Sequence, residues 1–156
     1  MSQPAIHALH GFLGSGKTTF ARTLERDLPA IRFSSDEWMV MLYGQDPPEE
    51  LFDIYRFRVL AVIRSCWTRA LEVGVPVVLD EGFWTRFERD ELRAEAAAQG
   101  APLILYALDT PEAVARERIR RRNLEPGSLY ITENTYDLFR SRFERLGPDE
   151  THVVIV

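Results

Sequence analysis

The chain contains a single cysteine, Cys66, and only three histidines among its 156 residues. One thiol cannot form an internal disulfide, and no group of cysteines and histidines has the spacing of a zinc site. Sparse cysteine favours a reducing compartment, so we expect a cytoplasmic protein. Because Cys66 lies within an apolar helical pattern, we expect its side chain to be buried.

Long apolar runs and an excess of positive charge are also missing. No segment reaches the roughly 20 residues needed to span a bilayer, and the first residues lack the basic and apolar regions of a secretion signal. The formal net charge of −5 argues against binding long nucleic acid through charge alone. The composition is that of a soluble globular protein, and we expect one domain over residues 1–156.

Nine residues near the N-terminus carry the strongest signal. Residues 11–19 read GFLGSGKTT, which fits the Walker A pattern of Gly, four variable residues, Gly, Lys and Ser or Thr. A strand pattern leads into them and a helical pattern follows, as a phosphate-binding loop requires. The pattern predicts that Lys17 binds triphosphate oxygens and that Thr18 contributes to a Mg²⁺ site. The predicted nucleotide-binding residues are Gly11, Gly14, Ser15, Gly16, Lys17, Thr18 and Thr19.

Apolar runs and helical patterns alternate along the chain, which predicts an α/β fold whose parallel sheet is covered by helices on both faces. The expected strands are residues 5–10, 30–33, 75–79, 102–108 and 152–156. The expected helices are residues 18–28, 49–73, 86–99, 111–122 and 132–146. We expect Thr110 to cap the fourth of these helices.

Asp36 follows the second predicted strand, at the edge of the sheet where open α/β folds bind ligands. A carboxylate there can accept a hydrogen bond from a hydroxyl that attacks the γ-phosphorus of a nucleotide. The alternative is structural, because Ser34 and Glu37 have the spacing of a capping box and Asp36 favours the helix dipole. The residues alone leave both interpretations open.

Asp80 ends the third predicted strand and is followed by Glu81 and Gly82. An acidic residue in this place is typical of a Walker B element, where it orients Mg²⁺ or its water ligands. The alternative is simple turn formation, which Gly82 supports. Glu81 is an equally open candidate for the working carboxylate. Downstream, Arg86 and Arg89 lie near the start of the next helix, where either could contact substrate, but we expect both to be exposed helix charges.

Five arginines crowd the end of the fourth predicted helix: Arg116, Arg118, Arg120, Arg121 and Arg122. Arginine can bind the charge that spreads over a transferred phosphoryl group. A Gly- and Pro-containing stretch follows and indicates a mobile segment, so we expect a lid at about residues 116–131 with one or two functional arginines. The alternative is a solvated basic end of a helix.

These features resemble the small P-loop kinases related to zeta toxin, chloramphenicol phosphotransferase and the kinase domain of polynucleotide kinase. The residues that carry the resemblance are 11–19, Ser35, Asp36, Asp80, 118–123, Phe143, Glu144, Pro148 and Glu150. The resemblance implies a three-layer α/β sandwich with a five-stranded parallel sheet of order 2-3-1-4-5. It also implies ATP with Mg²⁺ and transfer of the γ-phosphoryl group to a hydroxyl of a small acceptor.

The resemblance further implies roles for individual residues. Asp36 corresponds to the carboxylate that activates the acceptor, and Thr18 and Asp80 position the metal. The implied catalytic residues are Lys17, Asp36, Arg118 and Arg122. We expect the acceptor near Trp38, Tyr43, Arg56 and Arg58, with Trp84 as a further candidate for a pocket wall.

Two departures separate the chain from related classes. Residues 80–83 read DEGF, where polynucleotide kinases have Asp-x-x-Asn, which argues against a nucleic-acid end as acceptor. Small metal-inserting GTPases share the GFLGSGKTT loop, but they need an Asn-Lys-x-Asp motif and often a cysteine metal motif, and this chain has neither. An ATP-binding regulator without transferase activity stays open.

Overall fold

Five short strands form one parallel sheet at the centre of the computed structural model, which describes residues 3–155. The strands are β1 Ile6–His10, β2 Ile31–Phe33, β3 Val77–Gly82, β4 Leu103–Leu108 and β5 Val153–Ile155. The helices are α1 Lys17–Asp27, α2 Ser35–Tyr43, α3 Glu49–Glu72, α4 Arg86–Ala98, α5 Glu112–Arg122 and α6 Glu133–Arg142. The strand order is β2-β3-β1-β4-β5, which confirms the predicted order.

The central strand β1 is buried along its whole length because helices cover both faces of the sheet. Ile6 and Ala8 face a large apolar cluster that includes residues of α2, α3 and α4. Leu9 faces a smaller cluster that contains Ala21 of α1. The three layers place the carboxyl ends of all five strands at one edge, where parallel sheets bind ligands.

Helix ends differ from the predictions where tertiary contacts compete with local signals. Thr110 does not cap α5: its hydroxyl donates to the carbonyl of Ser15, and Pro111 occupies the cap position. The capping box predicted for α2 forms only in part, because the carboxylate of Glu37 binds Arg22 and Arg32. A complete capping box, which the sequence analysis missed, begins α4.

The prediction that Cys66 is buried is wrong, since its side chain is exposed on α3. The buried stripe of that helix runs through Val59, Ile63, Trp67 and Ala70, and Cys66 lies beside it. The 3.6-residue period fixes the direction of a side chain, but it does not fix how wide a face the neighbouring elements cover.

Arg89 was expected to be exposed, and this prediction is also wrong. Its guanidinium is 1% exposed and forms a two-point ion pair with Glu150, at 2.8 Å from Nε to Oε1 and 3.1 Å from Nη2 to Oε2. Arg89 also donates to the carbonyls of Phe83, Trp84 and Glu144. Arg89 thus connects the segment after α6 to the residues that follow β3. The last helix ends at residue 142, whereas the sequence predicted an end at residue 146.

Candidate functional site

The loop of residues 11–16 wraps the space in front of the first turn of α1. Gly14 has a φ of 75° and Gly16 a φ of 90°, the left-handed conformation that glycine adopts without strain. A Cβ at Gly14 would also lie 2.6 Å from the carbonyl oxygen of Ala115 on α5. No side chain caps α1, so its first N–H groups point toward the loop, as in anion-binding helix termini.

Lys17, Thr18 and Asp80 meet directly behind this loop. The ammonium of Lys17 donates to the carbonyl of Phe12 at 3.0 Å, and the hydroxyl of Thr18 donates to Oδ2 of Asp80 at 2.9 Å. Burial lowers the pKa of Lys17 and raises the pKa of Asp80. Arg32 lies nearby, with Nη1 3.8 Å from Oδ2 of Asp80. Because these charged groups are largely shielded from water, a ligand whose charges balance theirs should bind strongly here.

A cleft of about 980 Å³ opens between the loop, the end of β3, and helices α3, α5 and α6. Of the residues predicted to bind nucleotide, hold the metal or act in catalysis, Gly11 alone lies outside its wall. Those that line it are Gly14, Ser15, Gly16, Lys17, Thr18, Thr19, Asp36, Asp80, Arg118 and Arg122. Residues far apart in sequence therefore converge on one cavity, large enough for a nucleotide and a second small molecule.

Asp36 and Glu81 occupy different environments in this cleft. Asp36 is exposed in the first turn of α2 and has no side-chain hydrogen bond within residues 3–155. Glu81 has an 8% exposed side chain, and its carboxylate binds the backbone N–H of Ser35 at 2.9 Å and the hydroxyl of Ser35. Glu81 thus joins the end of β3 to the start of α2, whereas the carboxylate of Asp36 is free to meet a ligand.

The buried carboxyl of Glu81 makes folding stability depend on pH. Burial raises its pKa from 4.5 to about 8. Between these two pH values, the folded protein therefore keeps a proton on Glu81 that the unfolded chain has lost. The free energy of unfolding should therefore fall as pH rises from 4.5 to about 8. We expect Glu81→Gln, which mimics the neutral carboxyl, to flatten this fall in urea denaturation curves measured across that range.

The matched control for this prediction is Glu91→Gln, which neutralises an exposed carboxylate on α4. It should keep the slope of the unmodified protein. An unchanged slope in Glu81→Gln would contradict the assignment of the pH dependence to this carboxyl.

The five arginines of α5 separate into two groups. Arg116 and Arg120 point away from the cleft and bind Glu112, Glu133 and Asp137. Arg118, Arg121 and Arg122 line the cleft. Nη1 of Arg118 donates to the carbonyl of Gly14 at 3.0 Å, and the side chain of Arg122 makes no hydrogen bond within residues 3–155.

A pair of hydrogen bonds at the end of α5, the Asn123 clasp, was not predicted from the sequence. The side-chain amide of Asn123 donates to the carbonyl of Ile131 at 2.6 Å and accepts from its N–H at 2.9 Å. These two bonds close residues 124–130 into a loop at the mouth of the cleft. Nothing in the sequence marks this pairing, because an asparagine after a helix is equally typical of a plain C-terminal cap.

Not all of the side chains expected near the acceptor line the cleft. Arg56 and Trp84 line the cleft, whereas Trp38, Tyr43 and Arg58 do not. Tyr43 stacks on Tyr55 with ring centroids 3.8 Å apart, and Trp38 packs against the core. Phe52, Phe139 and Arg142, which the sequence did not indicate, complete this end of the wall.

Two negative findings concern the described residues 3–155. No helix there is long and apolar enough to cross a membrane. No group of three or more histidine, cysteine, aspartate or glutamate side chains there has the arrangement of a metal site.

Comparison with known proteins places these features in a family. Residues 6–146 match the AAA_33 family, described as an AAA domain, and no curated protein matches the chain. Kti12 from Chaetomium thermophilum, solved with ADP-AlF3, is 20% identical with a TM-score of 0.72, over 96% of this chain and 88% of that one. A provisionally assigned kinase from Chloroflexus aurantiacus is 18% identical with a TM-score of 0.78, over 99% and 88%. A gluconokinase from Sinorhizobium meliloti is 21% identical with a TM-score of 0.65, over 99% and 83%.

Proposed function

This chain belongs to the AAA_33 family of AAA domains, and from that premise we propose that it is an ATP-dependent phosphotransferase. It transfers the γ-phosphoryl group of ATP to a hydroxyl of a small-molecule acceptor. The observation that carries the proposal is the shared cleft, in which the phosphate-binding loop and the free carboxylate of Asp36 face the same cavity. The names of two similar structures, a gluconokinase and a provisionally assigned kinase, agree with this activity.

The loop binds the polyphosphate of ATP through backbone N–H groups and through Lys17. The ammonium of Lys17 already lies in the cleft, held by the carbonyl of Phe12 at 3.0 Å, and it exchanges this neutral partner for phosphate oxygens. The lowered pKa of Lys17 reflects its burial, and the negative charge of the nucleotide restores the charged form.

Thr18 and Asp80 are the residues that would hold Mg²⁺. Their oxygen atoms lie 2.9 Å apart, and hard oxygen donors of this kind suit a cation that takes one or two protein ligands together with phosphates and water. The ion would neutralise part of the phosphate charge.

Asp36 acts on the acceptor. Its carboxylate accepts the proton of the acceptor hydroxyl as that oxygen bonds to the γ-phosphorus and the bond from phosphorus to the β-bridging oxygen breaks, which leaves ADP. Arg122 and Arg118 lie on the lid side of the cleft, where their charges stabilise the phosphoryl oxygens. The two-point clasp of Asn123 on Ile131 keeps this side ordered.

Asp36→Asn tests the proposal. We expect the variant to retain ATP binding, because the loop and Lys17 are intact, and to lose transfer by about 100-fold or more, as is usual for a missing general base. Calorimetry measures ATP binding, and ADP release with a panel of hydroxylated compounds measures transfer.

Asp46→Asn, which changes an exposed carboxylate outside the cleft, is the control and should retain full transfer. Transfer by Asp36→Asn at the rate of the unmodified protein would rule out the assigned role. ATP binding without transfer to any compound of the panel would instead favour a regulatory nucleotide-binding protein.

A further inference from the structure

The arginines of this protein fall into bonded and unbonded sets. Many arginine side chains outside the cleft donate hydrogen bonds to carboxylates. Examples are Arg64, Arg86, Arg89, Arg93 and Arg116. The side chains of three arginines that line the cleft, Arg56, Arg122 and Arg142, make no hydrogen bond within residues 3–155. A guanidinium has five N–H donors, so these side chains are available to a ligand.

Arg56 differs from Arg122 in its position. Arg122 and Asp36 both act electrostatically on Lys17. Arg56 lines the cleft from α3, with Nη2 4.0 Å from Oε2 of Glu81 and a side chain that is 31% exposed. Glu81 also binds Ser35, the residue directly before Asp36, so it links the surroundings of Arg56 to the start of α2.

The carboxylates near Arg56 do not satisfy it. Both oxygens of Glu81 already accept hydrogen bonds from Ser35, and Glu88 accepts from the backbone N–H of Thr85 at 3.0 Å. Asp53 also lines the cleft but forms no ion pair with Arg56. A partly buried guanidinium without a bonded partner loses hydration without compensation, and an oxyanion matches its planar fork.

We propose that the phosphoryl acceptor carries an anionic group, a carboxylate or a phosphate, which Arg56 binds beside the hydroxyl that Asp36 activates. This inference rests on the proposed function and narrows its acceptor to anionic hydroxyl compounds. The aromatic side chains of Phe52 and Trp84 form the neighbouring wall, so water is partly excluded from the pair and the ionic hydrogen bonds are strengthened.

A binding experiment without turnover tests the anion site. Protein saturated with Mg²⁺ and the non-hydrolysable analogue AMPPNP, which fills the loop, is titrated with inorganic phosphate at constant ionic strength, with chloride as the reference ion. We expect saturable binding of phosphate that Arg56→Gln weakens by about 10-fold or more, the usual loss for a charge-assisted hydrogen bond. Arg58→Gln, two residues along α3 and outside the cleft wall, should bind phosphate as the unmodified protein does.

Equal phosphate binding by Arg56→Gln and the unmodified protein would overturn the inference, as would a response to phosphate no greater than that to chloride. If Arg56→Gln does not fold, Arg56→Lys replaces it. Lysine keeps the charge but loses the fork, so undiminished phosphate affinity in that variant would equally count against the proposal.

Turnover with matched acceptors then separates the inference from the proposed function. Ribose is compared with ribose 5-phosphate, and glycerol with glycerate. We expect ADP formation with the anionic member of a pair and its loss in Arg56→Gln, and equal turnover of the neutral member would overturn the inference. If no compound is phosphorylated while phosphate binding still depends on Arg56, the proposed function fails and the anion site stands.

Discussion

We expect Lys17→Met to lose ATP turnover by about 100-fold or more, the effect typical of removing one preorganised charge from a phosphoryl-transfer site. Methionine keeps most of the length of the side chain and its apolar stem, but it cannot donate to phosphate oxygens. Lys17 lies at the start of α1 with its ammonium inside the loop, so the substitution removes the charge without removing a core contact. ADP release and calorimetric titration with ATP measure the two consequences.

Arg26→Met is the matched control, since it removes an exposed cation from the other end of the same helix. It should leave ATP binding and turnover unchanged. Normal turnover in Lys17→Met would contradict the whole scheme, which assigns the main contact with the phosphates to the ammonium of Lys17.

The second large effect concerns stability. We expect Arg89→Met to lower the free energy of unfolding by about 3–5 kcal/mol, the range for breaking a buried ion pair by removing one partner. Glu150 is 1% exposed, and although burial opposes it, hydrogen bonding from Arg89 holds the pKa of Glu150 well below its usual range. Without Arg89, the buried carboxylate of Glu150 keeps only the partly exposed Arg93 and the N–H of Gly147 as donors, and four backbone carbonyls lose a donor. Urea denaturation at neutral pH measures the change.

The control is Arg86→Met, one turn earlier on α4. Arg86 also makes a two-point pair, with Asp149 at 3.0 and 2.7 Å, but both side chains are exposed, so water screens the pair and its loss should change stability little. If the two variants lose similar stability, burial is not what makes the Arg89 pair strong. Glu150→Gln combined with Arg89→Met should recover part of the loss, because the buried charge that has lost its main partner is then gone.

The sequence predicted those features whose signals are local. Residues 11–19 specify a loop and the start of a helix directly after a strand. The alternation of apolar runs with helices specifies a parallel sheet. Asp36 and Asp80 could be placed at the same edge as this loop because parallel strands end together.

Features that depend on distant partners could not be predicted. Arg89 and Glu150 are separated by 61 residues, and nothing in a helical charge pattern distinguishes a buried arginine from an exposed one. Glu81 and Asp80 are adjacent and chemically alike, and only the structure shows that the carboxyl of Glu81 is hydrogen-bonded to Ser35. The pairing of Asn123 with Ile131 depends in the same way on the path of the loop between them.

Lys17 is the only lysine of the chain, which otherwise carries its positive charge on arginine. Acylating reagents aimed at ε-amines therefore have one side-chain target, and it stands inside the proposed phosphate loop. Burial lowers the pKa of this amine, so a larger fraction is in the nucleophilic free-base form than for a lysine at the surface. The rate at which such a reagent acylates Nζ of Lys17 therefore reports whether a ligand occupies the loop.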